Sequence, residues 1–161
     1  MSRRILVIAS ILVSSLAAAA PSSAVASDAT LKAEIKKNLV SISPALTEFQ
    51  NAVDGFKKAR TATRLEKATA RLRVKITTYK RRVKTRASST ASGARGKKLL
   101  LSGLGQFDTG LRQYKSALDK LDAGASKATT LARLRTADRR FATAAKFEDE
   151  ALAVLSLERP D

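Results

Sequence analysis

LLSGLGQFDTGLRQYKSALDKL, residues 100–121, carries Leu100, Leu104, Phe107, Leu111, Tyr114, Leu118 and Leu121 at alternating steps of four and three. On an α-helix that rhythm gathers the seven side chains into one narrow stripe, whereas on a strand it scatters them over both faces. The stretch therefore reads as an amphipathic helix whose stripe needs other helices to cover it. Gly103, Gly105 and Gly110 interrupt the pattern, and each weakens a helix interior by roughly 1 kcal/mol relative to Ala. They mark a frayed start, a close approach of backbones, or a regular helix that begins only near Phe107. Gly124 is placed to end the helix and Ser126 to cap the next one.

The same rhythm recurs upstream, where Leu31, Ile35, Leu39, Ile42, Leu46, Phe49, Val53 and Phe56 form a stripe that keeps phase across Pro44. One helix kinked at Pro44 is expected in preference to two helices broken there. Thr63 and Glu66 fit a capping box, after which Leu65, Leu72, Ile76, Tyr79 and Val83 mark a second helix. Residues 87–96, ASSTASGARG, hold no apolar anchor and read as a flexible connector. Beyond Ser126, a wider stripe through Leu131, Leu134, Ala137, Phe141, Ala144, Ala151 and Leu155 indicates a last helix that meets more than one neighbour. The fold class is all-α, and an antiparallel four-helix bundle is the expected architecture. A faint echo between residues 67–73 and 127–135 offers a variant of it, two similar helical hairpins.

Residues 1–26 read as a secretory signal. Arg3 and Arg4 supply the positive start, residues 5–20 the apolar run, and Ala24-Val25-Ala26 a small-x-small cleavage motif before Ser27. The apolar run is too short and too often broken by serine for a comfortable membrane span. The expectation is a single soluble domain over residues 27–161, exported across a bacterial-type membrane to the cell envelope or beyond.

Charge is distributed very unevenly. Between Lys57 and Lys98 stand sixteen Lys or Arg against one acid, Glu66, so this stretch holds nearly all of the formal net charge of +17. Such a segment collects polyanions by counterion release. Arg64, Arg71, Lys75, Lys80, Arg82, Arg86, Lys97 and Lys98 are the candidate polyanion-binding residues. For an exported protein the expected partners are anionic envelope polymers or lipid headgroups. Nucleic acid is disfavoured, because Tyr79 alone offers an aromatic platform within the basic stretch.

The chain contains no Cys and no His. Thiol chemistry, zinc-thiolate sites and the most common general base are thereby excluded. Gly93-Ala94-Arg95-Gly96-Lys97-Lys98 fails as a phosphate loop, since the glycine spacing is wrong and Lys98 stands where a hydroxyl residue is required. Glu148-Asp149-Glu150 point about 100° apart on a helix, so they cannot converge on one metal ion unaided. No catalytic residue, cofactor site or metal site is assigned. The sequence points to a non-enzymatic exported protein that binds anionic surfaces through a basic helix. An assembly module, pairing its coiled-coil-like stripes with another chain or a second copy, is the alternative, and a hydrolase a distant third.

Overall fold

The computed structural model describes residues 23–59 and 62–157. The expected signal, residues 1–26, lies outside the described residues up to position 22. Four helices follow in order: α1 Ser23–Ala59, α2 Thr63–Thr85, α3 Ala91–Asp122 and α4 Lys127–Val154. Consecutive helices pack side by side. Rising positions on one meet falling positions on the next, as Glu34 with Arg86 and Glu48 with Arg71 demonstrate. The molecule is an antiparallel four-helix bundle, and no described helix is long and apolar enough to cross a membrane.

The predicted stripes form its core. Leu31, Ile35, Leu39, Ile42, Phe49, Val53 and Phe56 of α1 are buried, as are Leu65, Leu72, Ile76, Tyr79 and Val83 of α2 and Leu100, Leu104, Leu111, Tyr114 and Leu118 of α3. In mid-bundle an aromatic cluster ties three helices together. Phe49 of α1 meets Tyr114 of α3 edge-on at 5.2 Å between ring centroids and Phe141 of α4 at 5.9 Å, while Phe107 of α3 lies 4.8 Å from Phe141.

α1 runs through Pro44 as one helix. Proline removes the amide that would bond the carbonyl of Val40, a loss that water can repair only on a wet face. Both Pro44 and Val40 are on the exposed side.

Two local expectations are corrected. The capping box at Thr63 does not form: Ala62 occupies the cap position with no side-chain bond, and Glu66 turns instead towards Asp122 at the end of α3. The connector expected over residues 87–96 shrinks to a short link, because α3 already begins at Ala91. Thr90 caps it, accepting from the Gly93 amide at 2.9 Å, and also donates its hydroxyl to Asp28 of α1. Asp28 accepts the Ser89 amide at 2.9 Å as well, so a carboxylate sits at the positive end of α3. From the other side, Lys97 donates to the last carbonyls of α2, those of Lys84 at 3.0 Å and Arg86. Complementary charges at both helix ends order a turn whose composition alone reads as loose. The α3–α4 turn follows expectation, with Gly124 at φ +91° and Ser126 accepting from the Thr129 amide at 3.2 Å.

Three glycines of α3, Gly96, Gly103 and Gly110, have their explanation in α4 and its C-cap residue Leu155. Gly96, Gly103, Gly110 and Ala117 recur every seven residues and are buried, as are Thr130, Ala137, Ala144 and Ala151, which recur every seven on the adjacent α4. A Cβ on Gly103 would lie 3.0 Å from the Ala144 carbonyl oxygen, and one on Gly110 would lie 2.5 Å from the ring of Phe141. Small side chains thus let two backbones approach closely, and the packing gained there offsets the weak helix propensity of glycine.

Gly55 and Gly110 separate these two effects. Gly55→Ala, with nothing within 4 Å of the new methyl, should stabilise the fold by about 0.5–1 kcal/mol through helix propensity. Gly110→Ala gains the same propensity but drives its methyl into Phe141, and should lower stability by about 1–3 kcal/mol. Urea denaturation of the two variants measures the contrast.

Candidate polyanion-binding face

α2 contains nine Lys or Arg and the single acid Glu66, with Arg86 as a tenth cation at its C-cap. A helix so charged can pack only if its flanks meet acids. On the flank towards α1, Glu34 is buried and receives Arg86 through Nε at 3.1 Å and Nη2 at 2.5 Å, with Arg82 Nη1 at 4.0 Å. Asn38, also buried, donates to Glu34 Oε1 at 2.7 Å and accepts from Arg82 at 3.3 Å. The Arg86 and Asn38 hydrogen bonds hold the Glu34 carboxyl below its ordinary range, outweighing the opposing effect of burial. Further along, Arg71 bonds Glu48 at 2.7 Å, a pair open to solvent.

On the flank towards α3, Arg73 Nε reaches Asp108 at 3.1 Å, and Arg112 of α3 bonds the same carboxylate at 2.5 Å. Burial alone would raise Asp108, but the two guanidinium bonds hold it low. At the far end of this flank the sign reverses. Glu66 is raised first by burial, then by its hydrogen bond with Asp122 and by repulsion from Asp122 and Asp119.

These flanks divide the eight candidate residues into two groups. Arg71, Arg82 and Arg86 are engaged by carboxylates of α1, and Lys97 caps α2. Arg64, Lys75 and Lys98 are exposed, and Lys80 is half-buried on the side towards α3, near Gly105. Sequence reading passed over Lys67, Arg81, Lys84 and Arg95, all of which are exposed. The signal for them was present. Lys67, Val74 and Arg81 are spaced by seven and lie opposite the buried stripe of α2, on the face that no neighbour can cover.

The outward face of α2 thus displays Arg64, Lys67, Lys75, Arg81 and Lys84, none in an ion pair with a carboxylate among the described residues. From Arg64 to Lys84 this row runs about 30 Å at the helical rise of 1.5 Å per residue. Val74, 66% exposed, stands in its middle. Tyr79, the one aromatic of the basic stretch, is only 2% exposed. Its hydroxyl is buried without a hydrogen-bond partner and is pushed well above the ordinary tyrosine range, by burial first and then by Glu148 and Glu34. It cannot stack on a nucleic-acid base. Tyr114, by contrast, donates to Asp138 at 2.7 Å.

Among the described residues no group of three acids is arranged to hold a metal ion. Glu148 is half-buried while Asp149 and Glu150 are exposed. No protein-family model, curated protein or solved structure matches the chain.

Glu34 and Glu66 give opposite pH signatures. A depressed carboxyl contributes stability that is present above its unfolded pKa, near 4.5 for Glu34, and is lost as pH falls through its lower folded value. Glu34→Gln should therefore cost on the order of 1–2 kcal/mol at pH 7 and progressively less in acid. For Glu66, raised from 4.5, the favourable contribution exists below the unfolded pKa and is lost as pH rises through the folded one. Glu66→Gln should therefore raise the urea midpoint at pH 7 and leave it unchanged in strong acid. A lower midpoint at pH 7 would contradict the carboxyl pairing.

Proposed function

We propose that this chain is an exported, non-enzymatic protein that binds anionic surfaces or polymers of the cell envelope through the outward face of α2. One observation carries the reading. The fold spends Arg71, Arg73, Arg82, Arg86 and Lys97 on its own acids and helix ends, yet a row of exposed cations remains along α2 with no internal task. A bundle that needed only neutral flanks would not require that row. Fixed on a rigid helix one to two turns apart, these cations lose little conformational freedom on meeting a chain of phosphates, and each contact releases a condensed counterion.

The assembly alternative is supported less, since the apolar stripes of α1 and α3 on which it rested lie in the core of the bundle. Stacking on nucleic-acid bases has no exposed aromatic on α2 to support it. Binding is to charge density and not to a shaped pocket.

The test is affinity for long-chain inorganic polyphosphate, with neutral dextran as the control, as salt is raised. The logarithm of the association constant should fall linearly with the logarithm of salt concentration, by roughly 0.7–0.9 for each cation engaged. Replacing Lys67, Lys75, Arg81 and Lys84 together by Gln should weaken binding at least about tenfold at low salt and flatten that slope. Helicity should not change, since all four side chains are exposed. Salt-independent binding, or a quadruple variant that binds as well as the parent, would refute the proposal.

A further inference from the structure

Val40 and Val74 are the two large apolar side chains of the described residues that stand exposed, at 44% and 66%. Both belong to one surface. Val74 of α2 shares a shallow groove with Ser41, Pro44 and Ala45 of α1, bordered by Lys75 and by the Glu48–Arg71 ion pair, which is neutral as a pair. Val40 precedes Pro44 by one helical turn, on the same exposed side of α1. Lys36 and Lys37, both exposed, stand one turn before Val40. Two antiparallel helices lying side by side therefore present an apolar strip, Val40, Pro44 and Val74, with cations at both ends and along one edge.

From this we infer that the α1–α2 face docks flat onto a bilayer rich in anionic lipid, with Val40 and Val74 entering the headgroup boundary while Lys36, Lys37, Lys67, Lys75 and Arg81 meet the phosphates. The inference rests on the polyanion reading above and commits it to one source of phosphate. The exposed valines among cations select that source. A soluble phosphate polymer uses the cations but leaves the valines in water, whereas a membrane surface rewards both, through attraction of roughly 1 kcal/mol per basic residue near the surface and burial of apolar area. The mode differs from that of a membrane-active peptide, because the stripe of α2 stays in the core and only the opposite face is offered.

The chain contains no Trp, so Val74→Trp places a single indole at the centre of the face. With vesicles of phosphatidylglycerol and phosphatidylcholine, its emission should shift to the blue and be quenched by brominated acyl chains. Vesicles of phosphatidylcholine alone should produce neither change. The pair Val40→Ser and Val74→Ser should lower binding to the anionic vesicles roughly tenfold, consistent with loss of two partly buried side chains, and leave polyphosphate affinity unaltered. Binding to anionic vesicles with no blue shift and no loss in the serine pair overturns valine insertion. Binding to polyphosphate with none to vesicles overturns the membrane as partner while the polyanion reading stands. Binding to neither refutes both.

Discussion

The structure depends on how one like-charged helix is accommodated. α2 carries nine cations in 23 residues, and it forms part of a core only because both of its flanks meet carboxylates where they become buried. Glu34 is half of a buried network with Asn38, Arg82 and Arg86, and Asp108 is the shared acceptor of Arg73 and Arg112. These acids sit on α1 and α3, the neighbours of α2, at the levels where its guanidinium groups arrive. Removing either would leave half-exposed arginines to water, and removing Glu34 would leave Asn38 with one partner fewer, a moderate loss and not that of a stranded buried charge. Arginine is the residue at every one of these partly buried contacts, whereas lysine predominates on the outward face. A planar, weakly hydrated guanidinium tolerates the flank, while a compact, strongly hydrated ammonium belongs in water.

A second constraint operates on the other side of the bundle. α3 and α4 are held by shape, through Gly96, Gly103, Gly110 and Ala117 on the one and Thr130, Ala137, Ala144 and Ala151 on the other. The two hairpins consequently differ in kind: α1–α2 is closed by ion pairs over an aliphatic stripe, and α3–α4 by backbone proximity. The aromatic cluster of Phe49, Phe107, Tyr114 and Phe141 joins them where small residues would leave a void. Buried carboxylates paired with arginines therefore gather around α2, while α3 and α4 share the Tyr114–Asp138 and Arg140–Gln106 hydrogen bonds across their seam.

Much of this was legible in the sequence because helical periodicity is a strong signal. The stripes of α1, α2 and α3 predicted which side chains are buried, and Gly124 and Ser126 predicted the third turn. What stayed hidden was relational. Three glycines of α3 acquire meaning only beside α4, a match between two segments that no local rule detects. The start of α3 was missed because Asp28 and Lys97, which order that turn, come from α1 and from beyond the turn itself. Composition marks a Ser- and Gly-rich stretch as loose, and two long-range charges overrule it. The candidate cations were half recovered for the same reason: charge density identified the helix, but only its neighbours decide which cations are occupied.

That sorting determines what the basic face can do. A polyanion arriving at α2 competes with no internal carboxylate for Lys67, Lys75, Arg81 or Lys84, so engaging them leaves the fold intact. Engaging Arg82 or Arg86 instead would require the chain to abandon Glu34 and Asn38 in a buried site, an exchange that favours the internal pair at ordinary salt. Recognition and stability are therefore assigned to different side chains of a single helix, interleaved along its length and distinguished by whether a carboxylate of a neighbouring helix reaches them. The exposed valine at the centre of the outward face fits neither assignment on the bundle's own account. Burying it inward was not an option, because position 74 lies opposite the buried stripe of α2 and is 66% exposed, so a polar residue there would have cost the fold little.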